Sequence, residues 1–571
     1  MTDPITDPIT DKAVDPITVE LLRNRISSLM EEMDYHFYRS GYSTIVRESR
    51  DFSCVIVDPQ GRLLVAPWMF FHAPVYFHLV QRILADYGPG SEPDDLADGD
   101  VFVTNHPYDG NMPHASDMGF VAPIFHDGTL VAFAATIAHK ADVGGTVPGS
   151  TYGSATELYH EGMMIPPVRI HRAGKPIEDI MRLISANTRA PYVVLGDISG
   201  QIGVTRIGRK HMHEMCDRFG VDVVLESMDA MIEASSQEFR AALTRIPNGT
   251  AEAEGFLDHD GVDTETKVRL HVKIEVTDGK LHFDFTGCDP QTRGPVNLRI
   301  AMVEACVHYC LIGLLDPNLR YSDGVRELVS FTFTPKSVVS AEAPRPCSSY
   351  MKCCQKLCDV ILEAMDPLLP GRSIAHSGGS GGSIIVAWKG NTRPKRGNQY
   401  EIFGSAYGAG EGANGASGAT THLANLFAAP VEIIEAEFPC RITRFELNTD
   451  SGGAGEFRGG LNFIREYEML ESAEIVYRSD RAIEAPAGLQ GGLPGGRSRL
   501  IVNPDTPEAE IMPSSCRMEL EAGTMFRLNG AGGGGYGDPS KRARAAIEND
   551  IAEGFVTLEA ARRDYGYEPD S

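Results

Sequence analysis

Basic residues and long apolar runs are both scarce in this sequence. The chain has 52 Lys and Arg against 78 Asp and Glu, a formal net charge of −26. Nucleic-acid binding requires a basic face, so we expect no nucleic-acid partner. The most apolar stretch, 63–80, is interrupted by proline and histidine, and 301–315 is too short to span a bilayer. Because the N-terminus is acidic and proline-broken, unlike a signal or transit peptide, we expect a cytoplasmic protein without a membrane segment.

The cysteines do not suggest a disulfide framework. There are 11 of them, an odd number, and no secretory signal accompanies them. One cluster, Cys347, Cys353, Cys354 and Cys358, has no CxxC pair. A structural zinc site and a set of buried free thiols on a helix are both open at this point, and the missing CxxC spacing favours the thiols.

Two common catalytic motifs are also missing. The only Gly-Lys pairs, 174–175 and 279–280, are followed by Pro176 and Leu281, where a nucleotide-binding P-loop requires Ser or Thr. No GxSxG motif surrounds a serine that could act as a nucleophile. The sequence therefore predicts neither an ATP site nor serine-based hydrolysis in this chain.

Helical periodicity is clear in several segments. In the first of them, apolar residues from Val19 to Met33 recur at helical spacing, with Pro16 near the start and Gly41 at the end. We predict helices over 16–41, 222–245, 299–315 and 349–366, and a charged helical tail over 541–564.

Turn signals between apolar runs predict three β-hairpins. The first joins 52–57 to 62–67 through Asp-Pro-Gln-Gly, the second joins 118–125 to 129–138 through His-Asp-Gly, and the third covers 266–287 with Asp-Gly at its tip. Glycine-rich loops alternate with short strands from residue 371 onward. These patterns predict a mixed α/β (α+β) fold, multi-lobed and rich in hairpins, with flanking helices.

The register of the second hairpin brings acidic and histidine side chains together. A turn at 127–128 places Asp117 almost opposite His139, and His114 precedes Asp117 by three residues in a turn-rich segment. Asp51 stands at the open end of the first predicted hairpin. Two imidazoles and two carboxylates suit zinc, manganese or ferrous iron, and a site with an open position lowers the pKa of bound water.

Spacing by itself leaves a second interpretation open. An HxxD pattern arises often by chance, and the segment 105–142 is dense in histidine and aspartate. Hydrogen-bonded structural histidines fit the same spacing, since acid–histidine clusters also form for structural reasons.

At 571 residues the chain exceeds the size of a single hydrophobic core, so we expect several lobes. Their predicted bounds are a flexible N-terminal extension at 1–14, a metal-site lobe at 15–220, a central α/β lobe at 221–370, a glycine-rich β lobe at 371–540 and the charged helical tail at 541–571.

Several dispersed motifs give the chain a family resemblance from about Asp15 to Tyr567. The sequence resembles the hydantoinase B/oxoprolinase family, and no single motif would suffice for that assignment. The segments that carry the resemblance are RESRDFSCVIVDPQGRLLVAP (47–67), the block from GDVFVTNHPYDGNMPHASD to AHKADVGG (99–145), NTRAPYVVLGDISGQIG (187–203), DFTGCDPQTRGPVN (284–297), 430–467 and GAGGGGYGDP (530–539).

The resemblance implies a division of labour between two subunits. A hydantoinase A-type partner would bind ATP with Mg and phosphorylate the oxygen of a cyclic amide, within a heterotetramer or larger complex. This chain would hold a divalent metal ion and hydrolyse the activated amide, with phosphate as a leaving group. Hydantoins, 5-oxoproline and related lactams are the implied substrates.

The resemblance also assigns residues. It implies Asp51, His114, Asp117 and His139 as metal ligands, with the last three as the catalytic group. Candidates that support the ligands or contact the substrate are Asn105, His106, Lys140 and Asp142. The family often has Asp where His106 stands and Leu-Pro where residues 115–116 are Ala-Ser; both changes leave the four ligands intact.

Two rival functions remain. A ketone carboxylase subunit of the acetone or acetophenone type would use the same fold and site to join an enolate to carboxyphosphate or CO2. A non-catalytic scaffold would only complete the active site of the partner. The chain has a standard length without large insertions, which favours the hydrolase.

Overall fold

The computed structural model describes residues 14–91, 95–379, 382–388 and 398–569. Helices and several small sheets alternate along this part of the chain, so the predicted mixed α/β, multi-lobed fold is confirmed. The predicted N-terminal extension falls outside the described residues except for its last residue. Within the described residues, no helix combines the length and the apolar character needed to cross a membrane.

The four predicted helices are confirmed to within three residues at each end. The tail differs from its prediction, because two short helices replace a continuous one. Helices α2, α3, α4 and α8 were not predicted. The helices are α1 Pro16–Ser40, α2 Ala73–Tyr87, α3 Glu178–Ala186, α4 Pro191–Phe219, α5 Val221–Leu243, α6 Ile300–Leu315, α7 Tyr350–Met365, α8 Val431–Glu437, α9 Arg544–Ala552 and α10 Leu558–Tyr565.

A six-stranded sheet with the order β1–β4–β3–β2–β5–β6 forms the scaffold of the N-terminal region. Helices α1 and α4 pack against it. Gly208 of α4 allows this close approach, because a Cβ there would lie 2.9 Å from Ala134 Cβ of the sheet. The strands are β1 Phe52–Val57, β2 Val101–Thr104, β3 Asp117–His126, β4 Thr129–His139, β5 Val168–Arg172 and β6 Lys175–Pro176.

The second predicted hairpin is confirmed. β3 and β4 pair antiparallel over nearly their whole length, with one irregularity between Ile124 and Phe125. Asp127 and Gly128 form the connection and both have positive φ, 48° and 82°, as a two-residue turn of the type I′ class requires.

The first predicted hairpin is wrong. β1 pairs with β4, and residues 62–67 contribute only an isolated bridge between Val57 and Leu63. The turn itself forms, since the Asp58 carboxylate accepts hydrogen bonds from the backbone N–H groups of residues 60 and 62. The Leu63 N–H then donates to Asp323 over 2.6 Å, so this segment is tied to a distant loop and does not return along β1.

A four-stranded sheet with the order β10–β9–β8–β7 forms the central region, and α7 packs across β7 and β8. The third predicted hairpin is confirmed as β8–β9, with Asp278 and Gly279 in the turn. All eleven cysteines are free, and those at 353, 354 and 358 are buried on α7, as the thiol interpretation expects. The strands are β7 Gly249–Leu257, β8 Val268–Thr277, β9 Lys280–Asp284 and β10 Val329–Thr332.

Eleven further strands form the C-terminal region in sheets with the orders β12–β11–β17–β20, β13–β14 and β15–β16–β21–β18–β19. Glycine-rich loops pack backbone on backbone between them. A Cβ on Gly532 would lie 1.6 Å from the Ser451 carbonyl oxygen, so only glycine fits there. The strands are β11 Ser383–Trp388, β12 Gln399–Ile402, β13 Ser405–Ala406, β14 Ser417–Ala419, β15 Cys440–Leu447, β16 Phe463–Met469, β17 Ala473–Arg478, β18 Arg499–Val502, β19 Glu510–Met512, β20 Ser515–Leu520 and β21 Met525–Asn529.

The largest hydrophobic core is shared between the first two predicted lobes. It runs from Phe37 of α1 through Phe133 of β4 to Phe283 of β9 and Leu357 of α7. Separate clusters lie within the glycine-rich region and beneath the helical tail. The exact lobe boundaries stay a prediction.

Candidate metal centre

Two candidate ligands are fixed by strand pairing. Asp117, the first residue of β3, pairs in register with His139, the last residue of β4. His114 lies in the loop before β3, where the Asp117 N–H donates to the His114 carbonyl over 3.2 Å. This turn brings both side chains to the same end of the sheet, as the predicted hairpin register expects.

The three side chains converge on one point. Asp117 Oδ1 lies 3.3 Å from His114 Nε2 and 3.3 Å from His139 Nδ1. One potential ligand atom from each residue lies within 4.8 Å of the others. All three residues are buried.

Asp51 lies at the edge of this group. Its Oδ2 is 4.0 Å from His139 Nδ1, and its carbonyl accepts a hydrogen bond from the His139 N–H over 3.1 Å. It is not one of the three residues whose ligand atoms are all within 4.8 Å of each other. The structure therefore brings Asp51 beside the group, while its role as a fourth ligand stays a prediction.

The electrostatic environment favours an ionised Asp117 carboxylate. Burial raises the pKa of Asp117, but His114 and His139 outweigh that effect and hold the pKa well below its usual range. Burial lowers the pKa of His139. Burial raises the pKa of Asp51 to about 6, although the neighbouring His139 lowers it.

Several buried polar atoms of the group have no hydrogen-bond partner among the described residues. They are His114 Nδ1, His139 Nε2 and Asp117 Oδ2. These are not the atoms that converge, since His114 Nε2 and His139 Nδ1 are the nitrogens next to Asp117 Oδ1. The metal-site interpretation therefore rests on the convergent set of donor atoms. Two histidine nitrogens and a carboxylate oxygen fit zinc, manganese or ferrous iron.

Two of the predicted supporting residues hold the ligand segments in place through the backbone. The Asn105 side chain donates to the carbonyls of Ala115 (2.7 Å) and Met163 (2.8 Å). Lys140 is fully buried, its Nζ donates to Ala138 O and Gln201 Oε1, and burial lowers its pKa to about 8.

The other two predicted supporting residues lie further from the ligands. Asp142 accepts hydrogen bonds from the N–H groups of residues 144, 149 and 189 and pairs with the Arg189 guanidinium, so it shapes the loop after β4. His106 Nδ1 accepts from the N–H groups of Tyr108 and Asp109 and stabilises a turn. No contact between these two side chains and the ligand side chains is present among the described hydrogen bonds.

His72 is a neighbour of the centre that the sequence did not reveal. Its Nε2 lies 4.0 Å from Asp117 Oδ2, and neither atom has a hydrogen-bond partner within the described part of the chain. On the opposite side of the ring, Nδ1 lies 2.8 Å from the Ser53 hydroxyl, which in turn contacts Tyr76 OH at 2.7 Å. His72 lies in an apolar run just before α2. A prediction of that helix would have been the only local sign that His72 turns toward the centre.

A cavity adjoins the centre. The rings of Tyr350 and Tyr400 pack against His114 and His139, with centroids 5.0 Å and 4.8 Å apart. These tyrosines come from α7 and β12, far along the chain, and sequence periodicity could not place them. The cavity is lined by Asp51, Phe71, His114, His139, Tyr350, Lys352, Tyr400 and Arg478, among others.

Comparisons with known proteins agree on one family. The sequence model of the hydantoinase B/oxoprolinase family matches residues 15–539. A putative D-/L-hydantoinase subunit of the B type from Pseudomonas sp. (strain NS671) is 29% identical and aligns over 97% of this chain and 95% of its own length.

Two solved structures have the same fold. The crystal structure of an ATP-dependent caprolactamase from Pseudomonas jessenii matches with a TM-score of 0.89 at 25% identity, covering 98% of this chain and 97% of the other. A nucleotide-free acetone carboxylase matches with a TM-score of 0.86 at 17% identity, covering 97% and 79%. At that identity the second match concerns the fold alone.

Proposed function

Because the chain belongs to the hydantoinase B/oxoprolinase family, we propose that it is the metal-dependent subunit of an ATP-dependent cyclic-amide hydrolase. Hydantoins, 5-oxoproline and related lactams form the proposed substrate class. The observation that carries this proposal is the buried His114–Asp117–His139 group beside a cavity. The similarity to a hydantoinase subunit and to an ATP-dependent caprolactamase supports it.

The proposed ligands are His114, Asp117 and His139, with Asp51 as the fourth. A divalent metal ion in such a site supplies Lewis acidity, which makes a water molecule nucleophilic near neutral pH. The protein fixes the imidazoles and carboxylates before substrate arrives, because two of the ligands are ends of paired strands. Tyr350 packs against His114 and Tyr400 against His139, so each ring covers one face of a proposed ligand.

Activation of the amide is assigned to the partner. Amide resonance protects a lactam from water, and phosphorylation of its oxygen makes the ring carbon electrophilic. One water molecule then adds to that carbon, and the ring C–N bond breaks with the amine as the leaving group, which leaves an acyl phosphate. A second water molecule hydrolyses the acyl phosphate to a carboxylate and inorganic phosphate. The proposed partner is a hydantoinase A-type subunit that binds ATP with Mg, in a heterotetramer or larger complex. A relative whose name makes it one subunit of a hydantoinase, together with the missing P-loop, supports this assignment.

The test is a complex co-purified with its A-type subunit and assayed for phosphate release with hydantoins, lactams and ketones, with and without bicarbonate. We expect ATP-dependent ring opening of a cyclic amide without bicarbonate. The variant His114→Ala should abolish it, whereas His126→Ala, at the far end of β3, should retain it. Full turnover by His114→Ala in a complex without metal would support a non-catalytic scaffold instead.

The second candidate is a subunit of an ATP-dependent ketone carboxylase. The shared fold with an acetone carboxylase is the observation that keeps this function open. Bicarbonate-dependent turnover of a ketone, with no activity on cyclic amides, would replace the hydrolase proposal with this one.

A further inference from the structure

Lys352 is a buried cation without a described partner. It lies in the first turn of α7, is 9% exposed and lines the same cavity as His114 and His139. No hydrogen bond or ion pair from its ammonium group is present among the described residues, and burial lowers its pKa to about 8. An ammonium group without a counter-charge is costly to bury, so an anion is expected to complete this site.

The nearest carboxylates are engaged elsewhere. Asp480 and Asp258 both attract Lys352 electrostatically. The Asp480 carboxylate, however, pairs with Arg481, and the Asp258 carboxylate accepts hydrogen bonds from the backbone N–H groups of residues 482–484. Neither approaches Lys352 within ion-pair distance, so neither replaces a bound anion.

The backbone N–H groups just before α7 also have a hydrogen-bond partner within the protein. The buried Glu161 carboxylate accepts hydrogen bonds from the N–H groups of Cys347 (2.8 Å) and Ser348 (2.7 Å). Glu161 is therefore the anion that these N–H groups bind. The ammonium group of Lys352 lines this part of the cavity wall without a described acceptor.

Arg478 adds positive charge to the same wall. Its guanidinium donates to Ser348 O, to Ser383 Oγ over 2.7 Å and to Tyr400 OH over 3.0 Å. These contacts hold α7 and β12 against each other around the cavity. Arg478 is thus a positioning residue, and its charge raises the affinity of the cavity for an anion.

We infer that Lys352 binds an oxyanionic group of the substrate, next to the centre formed by His114, Asp117 and His139. The inference rests on the proposed function and extends it. In that reaction the phosphoryl group is bonded to the oxygen on the carbon that water attacks, and a cation in the wall of the same cavity can bind it. A carboxylate carried by the substrate offers the same chemistry, and the experiment separates the two sources.

The test measures binding of inorganic phosphate and of acetate to the metal-loaded full chain by calorimetry. Lys352→Met should weaken phosphate binding about tenfold or more, since a charge-assisted hydrogen bond is lost. Lys352→Arg should retain most of the affinity because it keeps the charge. Lys356→Met is the matched control: Lys356 is buried one turn further along α7 but does not line the cavity.

Each outcome decides between alternatives. A loss confined to phosphate assigns Lys352 to the phosphoryl group, and a loss confined to acetate assigns it to a substrate carboxylate. Unchanged binding of both anions in Lys352→Met, or no binding by the wild-type chain, overturns the inference. Thermal unfolding shows whether Lys352→Met is folded. If it is not, Lys352→Gln, which removes the charge but keeps a polar end, replaces it and should show the same loss.

Failure of the anion site can be distinguished from failure of the proposed function. If the complex opens cyclic amides but Lys352→Met binds both anions normally, only the anion site fails. If Lys352 binds phosphate but the complex has no ATP-dependent activity on cyclic amides, only the hydrolase proposal fails.

Discussion

Asp117 and His139 are register partners across the β3–β4 hairpin, and Asp117 Oδ1 lies 3.3 Å from His139 Nδ1. Their backbones are therefore held by the ladder of the sheet rather than by a mobile loop. Groups on strands hold catalytic geometry more tightly than groups on loops. The centre is thus formed by the fold before metal or substrate binds.

Replacement of Asp117 by Asn should remove the metal site while leaving the hairpin intact. The amide keeps the shape but loses the charge between two imidazoles, so we expect metal content to fall to background and turnover to fall at least ~100-fold. Metal analysis after dialysis against a weak chelator, together with the complex assay, measures both. Asp127→Asn, at the exposed turn of the same hairpin, is the matched control. Equal metal content in the two variants would refute Asp117 as a ligand.

His72 should tune metal affinity through Asp117. Its Nε2 faces the unpartnered Asp117 Oδ2 at 4.0 Å, and the Ser53 hydroxyl, itself in contact with Tyr76 OH, holds the other side of its ring. Loss of a group that orients a ligand typically weakens metal binding 10–100-fold, and we expect His72→Ala to fall in about that range. Competition with a chromophoric zinc chelator measures the affinity.

The control for His72 comes from the same helix region. His78 lies on α2 and pairs with Glu304 over 3.0 Å, away from the centre. His78→Ala should bind zinc with wild-type affinity. If His72→Ala also does so, the contact with Asp117 has no role in metal binding.

The parts of the site that the sequence predicted are those fixed by local geometry. A two-residue turn sets the register of β3 and β4, so counting outward from Gly128 places Asp117 opposite His139. The same reasoning failed at 58–61, where the turn forms but β1 finds its partner about eighty residues later in β4. Tertiary contacts decided that pairing, and turn chemistry cannot reveal them.

Helix α4 shows a second limit of sequence reasoning. Glycines at 196, 200, 203 and 208 argue against a helix on propensity. At 196, 200 and 208 the missing side chain serves packing instead, since a Cβ at Gly196 would lie 2.3 Å from the Tyr42 ring. Such contacts, like those that bring Tyr350 and Arg478 to the cavity, join segments distant in sequence.

Asp323 should make the stability of the chain depend on pH. Burial raises its pKa from an ordinary value of about 4 to about 7, although Arg326 and the Leu63 N–H lower it. The native state therefore keeps a proton that the unfolded state has lost. This contribution to stability is complete below about pH 4 and is lost as pH rises to about 7, at ~1.4 kcal/mol per pH unit.

Asp323→Asn should remove this dependence, because the amide cannot ionise. We measure the free energy of unfolding of variant and wild type in urea at pH 5 and pH 8. The difference between them should favour the variant more at pH 8 than at pH 5. The exposed Asp127→Asn variant again serves as control. A difference between variant and wild type that is the same at both pH values would show that Asp323 is ionised in the native state throughout.

The helical tail should depend on one buried carboxylate. Asp550 of α9 pairs with Arg542 over 2.7 Å and with Arg458 over 3.2 Å, and all three side chains are buried. Removal of one member of a buried ion pair leaves an uncompensated charge and typically costs ~3–5 kcal/mol. Asp550→Ala leaves two such charges, so we expect a loss at the upper end of that range in urea unfolding.

Asp564→Ala, which removes a pair with the exposed Arg563, should cost at most ~1 kcal/mol. If the two variants lose similar stability, the tail is held by its apolar contacts around Ala454 and not by the arginine–aspartate group.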